Sequence, residues 1–451
     1  MSEITSSFTH VIKIESGVYA LFNSLWLRVI FFDEGLLPLV NALINNIEQD
    51  EALSLLKPNL RSEGEKLLLK MSSQKFFGHE EDQNKLTEIR ETLESQKISI
   101  MYIIVTSTCN LACKYCYLSE ALNQENSRSM DEVTASKAID MFSRIVKNDR
   151  VEKPEIIFYG GEPLLDTKLM EFALNYASTI IPNCRFTLNT NGTVINEHSI
   201  RLLKHYDVEV SLSIDGPKDI HNRFRIDRSG KGTFSKAITG YKKLQKNNVR
   251  VGISCTITPE NVNRLEEITN WLIDELNISS LGFNLMIGKV NDTKCEEVYS
   301  NNAAKALIEC FKIARDAGVY EERVMRRVNS LSDGQLSLND CGGCGQQIVV
   351  TPTGQIGVCQ AFMNMGDNFI PIDEVEDPSH HELWAQWRRR SPFNIHECLD
   401  CEVLGICGGG CPYNSLIKYG NFMAPDLVHC IHAKETLHFL LKDLWRLSVS
   451  S

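Results

Sequence analysis

Three cysteines at a three-then-two spacing, Cys109-x3-Cys113-x2-Cys116, follow the apolar run Ile98 to Val105. Three thiolates so placed hold three corners of a four-iron cluster and leave the fourth iron open to a ligand. Cys109, Cys113 and Cys116 are therefore the expected metal ligands, and the open iron is the expected seat of catalysis. Zinc is the competing reading, but a structural zinc site closes with four ligands and this loop offers three.

The remaining thiols concentrate elsewhere. Of fifteen cysteines in 451 residues, eight lie between Cys341 and Cys430: Cys341, Cys344, Cys359, Cys398, Cys401, Cys407, Cys411 and Cys430. Crowding at metal-ligand spacing favours iron or zinc over disulfides. Cys398-x2-Cys401 alone reads equally well as half of a zinc ribbon, and two ribbons would use eight cysteines. Cys184, Cys255, Cys295 and Cys310 stand outside both zones and read as buried or surface thiols.

Polar groups recur where strands are expected to end. Gly160-Gly161-Glu162-Pro163 combines glycines that allow close backbone approach with a carboxylate able to accept hydrogen bonds from an ammonium group. Asn189-Thr190-Asn191-Gly192, then Ser211 to Pro217 with Ser213 and Asp215-Gly216, then His221 to Arg225, supply further polar rims. Taken singly, Asn191-Gly192 and Asp215-Gly216 are ordinary turn chemistry.

The elements that must position these residues alternate regularly. Strands are expected over 99–105, 155–159, 185–189, 209–214, 250–257 and 281–286, and helices over 131–147, 167–178, 197–205, 233–246, 262–276 and 303–317. Six such units imply an α/β fold, a partial (β/α)6 TIM-like barrel with a parallel sheet, whose sites sit at the carboxyl ends of the strands. The expected domains are 1–80, a linker helix at 81–97, the barrel at 98–320 and a cysteine-rich iron–sulfur region at 321–451. Residues 1–80 read as three β-rich runs, 8–14, 18–25 and 27–32, followed by helices at 35–44, 50–55 and 61–71. The last region loses the alternation around Asp333-Gly334, Gly342-Gly343 and Gly408-Gly409-Gly410, and ends in a helix over 433–447.

Composition bounds the function. With 43% hydrophobic and 23% charged residues the chain reads as globular, and a formal net charge of −11 disfavours a general nucleic-acid binder. Met1-Ser-Glu-Ile lacks the cationic start of a signal peptide, and no stretch is apolar enough to span a bilayer, so a cytoplasmic location without membrane or nucleic-acid partners is expected.

Cys109-x3-Cys113-x2-Cys116, with Tyr115 before the last cysteine, resembles the signature of the radical S-adenosylmethionine superfamily, and the resemblance runs over roughly residues 98 to 290. It implies a 4Fe–4S cluster whose open iron chelates S-adenosylmethionine, and a 5'-deoxyadenosyl radical that removes hydrogen from a C–H bond, with the protein orienting the reactants and excluding water. By the same resemblance Gly160, Gly161 and Glu162 hold the cofactor's amino group, Asn189 joins the rim, Ser213 and Arg225 meet its ribose or carboxylate, and Tyr115 lies against its adenine. A one-electron reductant such as flavodoxin or ferredoxin is also implied.

Cys344-x9-Gly354-x4-Cys359, then Cys398-x2-Cys401-x5-Cys407-x3-Cys411, then Cys430, resembles the SPASM extension of peptide-modifying radical enzymes. It implies two auxiliary 4Fe–4S clusters and three clusters in all: one held by Cys341, Cys344, Cys359 and Cys411, the other by Cys398, Cys401, Cys407 and Cys430. The order of elements in residues 1–80 resembles a winged-helix-like leader-recognition domain, in which a precursor peptide's leader adds as a strand. The implied activity is a maturase that installs a thioether or carbon–carbon cross-link in a ribosomally made peptide. Sulfatase maturation to formylglycine is a second implied activity, although those relatives place Asp where this chain has Gln360. Peptide epimerase or decarboxylase chemistry, and an iron–sulfur carrier that cleaves no cofactor, stay open.

Overall fold

The computed structural model describes residues 4–119, 128–286, 293–363, 365 and 368–450, apart from the side chains of 293–295 and 450. The Cys295 thiol therefore lies outside the described residues.

Three short alternating runs open the chain as β1 (Thr9–Glu15), β2 (Val18–Asn23) and β3 (Arg28–Asp33), an antiparallel sheet in that order. Alternation sends successive side chains to opposite faces, and here both faces are apolar. Leu21, Ile30 and Phe32 pack on Leu39, Leu43, Leu67 and Met71 of α1 (Leu37–Ile44) and α3 (Arg61–Ser73), with α2 (Gln49–Ser54) between these helices in the chain. Ile12, Ile14, Ala20 and Phe22 of the other face pack on Val403, Ile406, Leu437 and Leu441 from the far end of the chain. The stretch expected as a linker is α4 (His79–Glu94), and it is built into the same interface: Leu86, Ile89 and Leu93 meet Phe8, Leu25, Phe393 and Leu404.

The six expected strand–helix units follow. They are β4 (Ile100–Thr106) with α5 (Glu132–Asn148), β5 (Glu155–Gly160) with α6 (Thr167–Ile180), and β6 (Arg185–Thr190) with α7 (Glu197–His205). Next come β7 (Glu209–Ser213) with α8 (Lys218–Phe224) and α9 (Phe234–Lys246), β8 (Val251–Ile257) with α10 (Leu265–Leu276), and β9 (Ser280–Leu285) with α11 (Thr293–Asp316). Strands β4 to β9 are parallel in chain order, the arrangement that βαβ crossovers enforce.

The sheet continues at both ends rather than closing. The two-residue β10 (Tyr320–Glu321) lies parallel to β9, and β11 (Gln347–Val350) lies parallel to β4 with Gln347 opposite Ile100. Antiparallel β12 (Gln355–Gly357) and β13 (Phe369–Pro371) complete that edge. The cysteine-rich region is therefore hydrogen-bonded to β4, the first strand of the parallel series, a link that a four-residue apolar run does not announce in sequence.

Short helices carry the rest: α12 (Glu322–Asp333), α13 (Glu382–Arg388), α14 (His396–Leu399), α15 (Leu404–Cys407), α16 (Pro412–Tyr419) and α17 (Leu427–Ser450). The last begins six residues earlier than its expected start, directly after Asp426, so Cys430 sits in its first turn. Among the described residues no helix is long and apolar enough to cross a membrane.

Candidate functional site

The cysteine loop leaves β4 at the carboxyl end of the sheet and is pinned from four sides. From β5, Gly161 and Glu162 donate backbone N–H groups to the carbonyls of Thr106 and Thr108, both at 2.9 Å. From the turn after β6, Asn191 Nδ2 donates to Asn110 Oδ1 (3.0 Å), and Asn110 Nδ2 donates to Thr193 Oγ1 (2.8 Å). From the hairpin after α8, the carbonyls of Ile226 and Phe224 accept from Ala112 N (2.8 Å) and Lys114 N (3.0 Å), and Arg228 Nε donates to the Cys109 carbonyl at 2.8 Å. The fourth anchor is Tyr115, whose hydroxyl donates to Asp215 Oδ2 at 2.6 Å.

Asp215 is the hub that sequence reasoning missed. Fully buried after β7, it accepts from Tyr115, from Arg225 through Nε (2.9 Å) and Nη2 (3.2 Å), and from Thr256 N (3.1 Å). The Arg225 guanidinium lies 5.3 Å from the Tyr115 ring centre, and Phe224 contacts the same ring. Arg225 was expected to meet the cofactor's ribose or carboxylate; its Nε and Nη2 are hydrogen-bonded to Asp215, which also holds Tyr115 of the cysteine loop. The only sequence mark of this hub is an Asp-Gly pair, which turn chemistry explains equally well.

Two further residues of the expected site also hold the loop and the strand ends together. A Cβ on Gly161 would stand 2.1 Å from the Thr108 carbonyl oxygen and 2.9 Å from Cys109 N, so the glycine pair is required by the cysteine loop itself. Glu162, expected to meet an ammonium group, is buried and accepts from Thr190 Oγ1 (2.7 Å), Asn191 N (2.8 Å) and Leu164 N (3.2 Å). Burial pushes its carboxyl up to about 6 against those three donors.

Asn189 and Ser213 are half-buried on neighbouring strands, with no side-chain hydrogen bond among the described residues. They share a face with Ser211, Ser254 and Thr256, while Leu188, Val210, Leu212, Ile253 and Cys255 are buried on the other. A parallel sheet covered on both sides by apolar packing reads as continuous apolar runs, so this polar alternation marks a face that is not sealed by apolar side chains. The alternation was present in the sequence as the signal for Ser211, Ser254 and Thr256.

The thiols fall into three groups by mutual electrostatic interaction. Cys109, Cys113 and Cys116 act on one another; burial pushes Cys109 up to about 12 and Cys113 to about 11, the latter opposed by Arg225. Cys341, Cys344, Cys359 and Cys411 form a second group, with Cys344 hydrogen-bonded to Cys341, which lowers the Cys341 thiol. Cys398, Cys401, Cys407 and Cys430 form a third, in which burial raises Cys398 to about 12 and Cys407 to about 11. Cys255 and Cys310 are buried apart from these groups, and Cys184 is half-buried.

These surroundings fit iron–sulfur clusters. Buried thiols raised above their usual range ionise when a cation binds them. Beside them the buried Arg327 Nε and Nη2 and Arg390 Nη1 have no partner among the described residues, as guanidinium groups facing an anionic group would. Among the described residues no three His, Cys, Asp or Glu side chains converge on a single-ion site.

Between the first two thiol groups lie three phenols and an amide. Tyr117 and Tyr159 share a hydrogen bond of 2.8 Å, and Tyr102 packs edge-on against Tyr159. Gln360, next to Cys359, donates Nε2 to the Tyr117 hydroxyl at 3.5 Å and keeps a buried Oε1 without a partner.

Residues 103–272 match the profile of the Radical SAM superfamily. The uncharacterized protein MJ0907 of Methanocaldococcus jannaschii is 34% identical over 184 residues, 40% of this chain, and the chain spans only 60% of that protein's length. The radical SAM cyclopropyl synthase TigE of Paramaledivibacter caminithermalis is 23% identical over 355 residues, covering 74% of this chain and 72% of TigE. The cysteine-type anaerobic sulfatase-maturating enzyme of Clostridium perfringens strain 13 is 28% identical over 338 residues, 70% of this chain and 88% of that enzyme. Among solved structures, anSMEcpe with bound AdoMet and the Cp18Cys peptide has a TM-score of 0.64 at 23% identity, covering 78% of this chain and 99% of its own. Streptococcus suis SuiB bound to S-adenosylmethionine has a TM-score of 0.56 at 18% identity over 94% of this chain and 99% of its own. SuiB bound to precursor peptide SuiA gives 0.51 at 16%, with the same coverage. At these identities the structural likeness is one of fold.

Proposed function

We propose, for a chain that carries a radical SAM domain over residues 103–272, that it is a peptide maturase which installs a thioether or carbon–carbon cross-link in a ribosomally made precursor. One observation carries the reading: eleven thiols sort by mutual electrostatic interaction into a group of three, on the loop after β4, and two groups of four. In this reading Cys109, Cys113 and Cys116 hold the reactive 4Fe–4S cluster, and the two sets of four hold auxiliary clusters. When bound, cluster and S-adenosylmethionine supply, on one-electron reduction by a flavodoxin or ferredoxin, a radical able to take hydrogen from an unactivated C–H bond.

The chain's own residues orient and enclose. Asp215, through Tyr115 and Arg225, fixes the cysteine loop, and Gly161 lets β5 lie against it. Asn189, Ser211, Ser213 and Ser254 offer hydrogen bonds along one polar face of the sheet, where the cofactor's ribose and carboxylate would be held. The buried Gln360 Oε1 is an acceptor available to a substrate N–H.

Support for a peptide substrate comes from relatives and neighbours whose own names or complexes include a sulfatase-maturating enzyme and SuiB with SuiA. The N-terminal sheet adds to it: both faces are covered, and among the described residues β1 and β3 each pair only with β2, so an extended leader could join at an edge as a further strand. Formylglycine formation is the second reading, favoured by the 28% identical relative; against it, Gln360 is an amide where those enzymes carry a carboxylate base.

The test is anaerobic. Iron-loaded enzyme reduced with dithionite should convert S-adenosylmethionine to 5'-deoxyadenosine, and Cys113→Ala should not; loaded enzyme that forms none refutes the radical reading. Co-expression with the short peptide encoded beside the gene should lower the peptide's mass by two hydrogens. An unchanged mass with an inverted stereocentre would replace the cross-link with epimerisation. Hydrogen exchange along β3 should slow when that peptide is added.

A further inference from the structure

Arg390 is among the largest fully buried side chains, with 0% exposure. Its guanidinium donates Nε to the Phe422 carbonyl, and Nη2 to the carbonyls of Gly409 (2.8 Å) and Ala424 (3.1 Å) and to Ser415 Oγ (3.3 Å). Among the described residues Nη1 is buried with no partner. All four acceptors are neutral, and among the described residues no carboxylate lies within 4.0 Å of the guanidinium. An arginine does not lose its proton in a protein, and a buried charge without an opposite charge is costly. The molecule therefore holds a buried cation with no carboxylate in contact with it, a setting suited to a bound anion.

Its position says what that is. Gly409 lies between Cys407 of one tetrad and Cys411 of the other, and Arg390 reaches into that crossover. Gly409 has φ +83°, and a Cβ there would stand 2.8 Å from Nη1, so the loop is shaped around the guanidinium. Ser415, which Nη2 touches, itself donates to the Cys411 carbonyl at 3.2 Å. Asn339, two residues before Cys341, donates to the Arg390 carbonyl at 3.1 Å. The charge also acts on Cys344 of one tetrad and Cys398 of the other.

We infer that Arg390 is the shared counter-charge of the two auxiliary clusters, a buried positioning residue that balances their negative charge and holds the Cys407–Cys411 crossover between them. The inference rests on the cluster assignment proposed above. A 4Fe–4S cluster with four thiolates is an anion in both common redox states and gains one negative charge on reduction. A fixed cation beside it favours the reduced state and raises the midpoint potential. One cation between two clusters should do so for both.

The test uses the full chain with Cys109, Cys113 and Cys116 changed to alanine, reconstituted with iron and sulfide, so that only the auxiliary sites are filled. Iron and sulfide content, circular dichroism and an electron paramagnetic resonance redox titration are compared for this background and for Arg390→Gln and Arg390→Lys within it. The background should hold two clusters; Arg390→Gln should shift both midpoints to more negative values or lose iron from both sites, and Arg390→Lys should restore most of either effect. If Arg390→Gln does not fold, Arg390→Lys carries the test: background-like midpoints support the role of charge, and iron loss despite a native dichroism spectrum overturns it. Full iron with unshifted midpoints in Arg390→Gln overturns the role of Arg390 alone. A background that takes up no iron overturns the cluster assignment and the inference with it.

Discussion

Arg225 and Asp215 are joined by two hydrogen bonds, Nε to Oδ2 at 2.9 Å and Nη2 to Oδ1 at 3.2 Å, with side chains only 9% and 1% exposed. Removing one partner of such a pair strands the other charge. Asp215→Ala should cost about 3–5 kcal/mol in chemical denaturation, and the first cluster should lose iron because Tyr115 loses its anchor. Asp215→Leu with Arg225→Met should regain most of the stability, since a buried pair is often no better than apolar packing. A single variant as stable as the parent would mean that solvent reaches the pair.

Gly161 tests the contact between β5 and the cysteine loop. An alanine methyl would meet the Thr108 carbonyl oxygen at 2.1 Å, and backbone cannot rotate away as a side chain does. Gly161→Ala should cost about 1–3 kcal/mol, and a loop displaced by about an ångström should lower 5'-deoxyadenosine formation on the order of a hundredfold. Gly318→Ala is the control: with φ +71° and open space around it, it should lose about 1 kcal/mol of stability and keep its activity.

The legible parts of this site are those whose chemistry is local in sequence. Cysteine spacing announced the first loop, and the polar groups recurring at the expected strand ends announced its rim. What stayed hidden depends on contacts between distant segments. Asp215 reads as a turn residue until Tyr115, a hundred positions earlier, and Thr256 are seen to converge on it. The protein donors that Glu162 accepts from, Leu164, Thr190 and Asn191, are likewise invisible in sequence. The polar run around α4 reads as a linker because its buried stripe is narrow, three side chains over two turns.

His221 gives the fold a pH dependence. It is buried beside Thr233, with Nε2 3.3 Å from Thr233 Oγ1 and Nδ1 unpaired, and burial lowers its pKa to about 4 from an ordinary 6.5. The unfolded chain therefore binds this proton more readily than the native one. The contribution is fully present above pH 6.5 and is lost as pH falls toward 4, by about 3 kcal/mol over the whole interval. Because His221 and Arg225 share α8 and its end, this loss should loosen the clamp on the cysteine loop. His221→Phe should flatten the dependence: parent and variant, compared by urea denaturation, should converge or cross as pH drops from 7 to 5. Parallel curves would show that the imidazole does not titrate there.

Phe22 tests how the N-terminal sheet is joined to the rest. It is fully buried on the face that meets Val403, Ile406, Cys407, Leu437 and Leu441, so the sheet supports the segments that carry Cys401 and Cys407. Phe22→Ala should cost about 3–5 kcal/mol and release iron from the tetrad containing Cys407 before the other sites lose theirs. By the same packing, removing residues 1–80 should expose an apolar face and yield aggregated or iron-poor protein. Loss of peptide modification after that deletion would then report a damaged cluster region, whereas protection of β3 from hydrogen exchange reports the peptide itself. A truncated chain that stays monomeric with full iron would show that the sheet is a separable module.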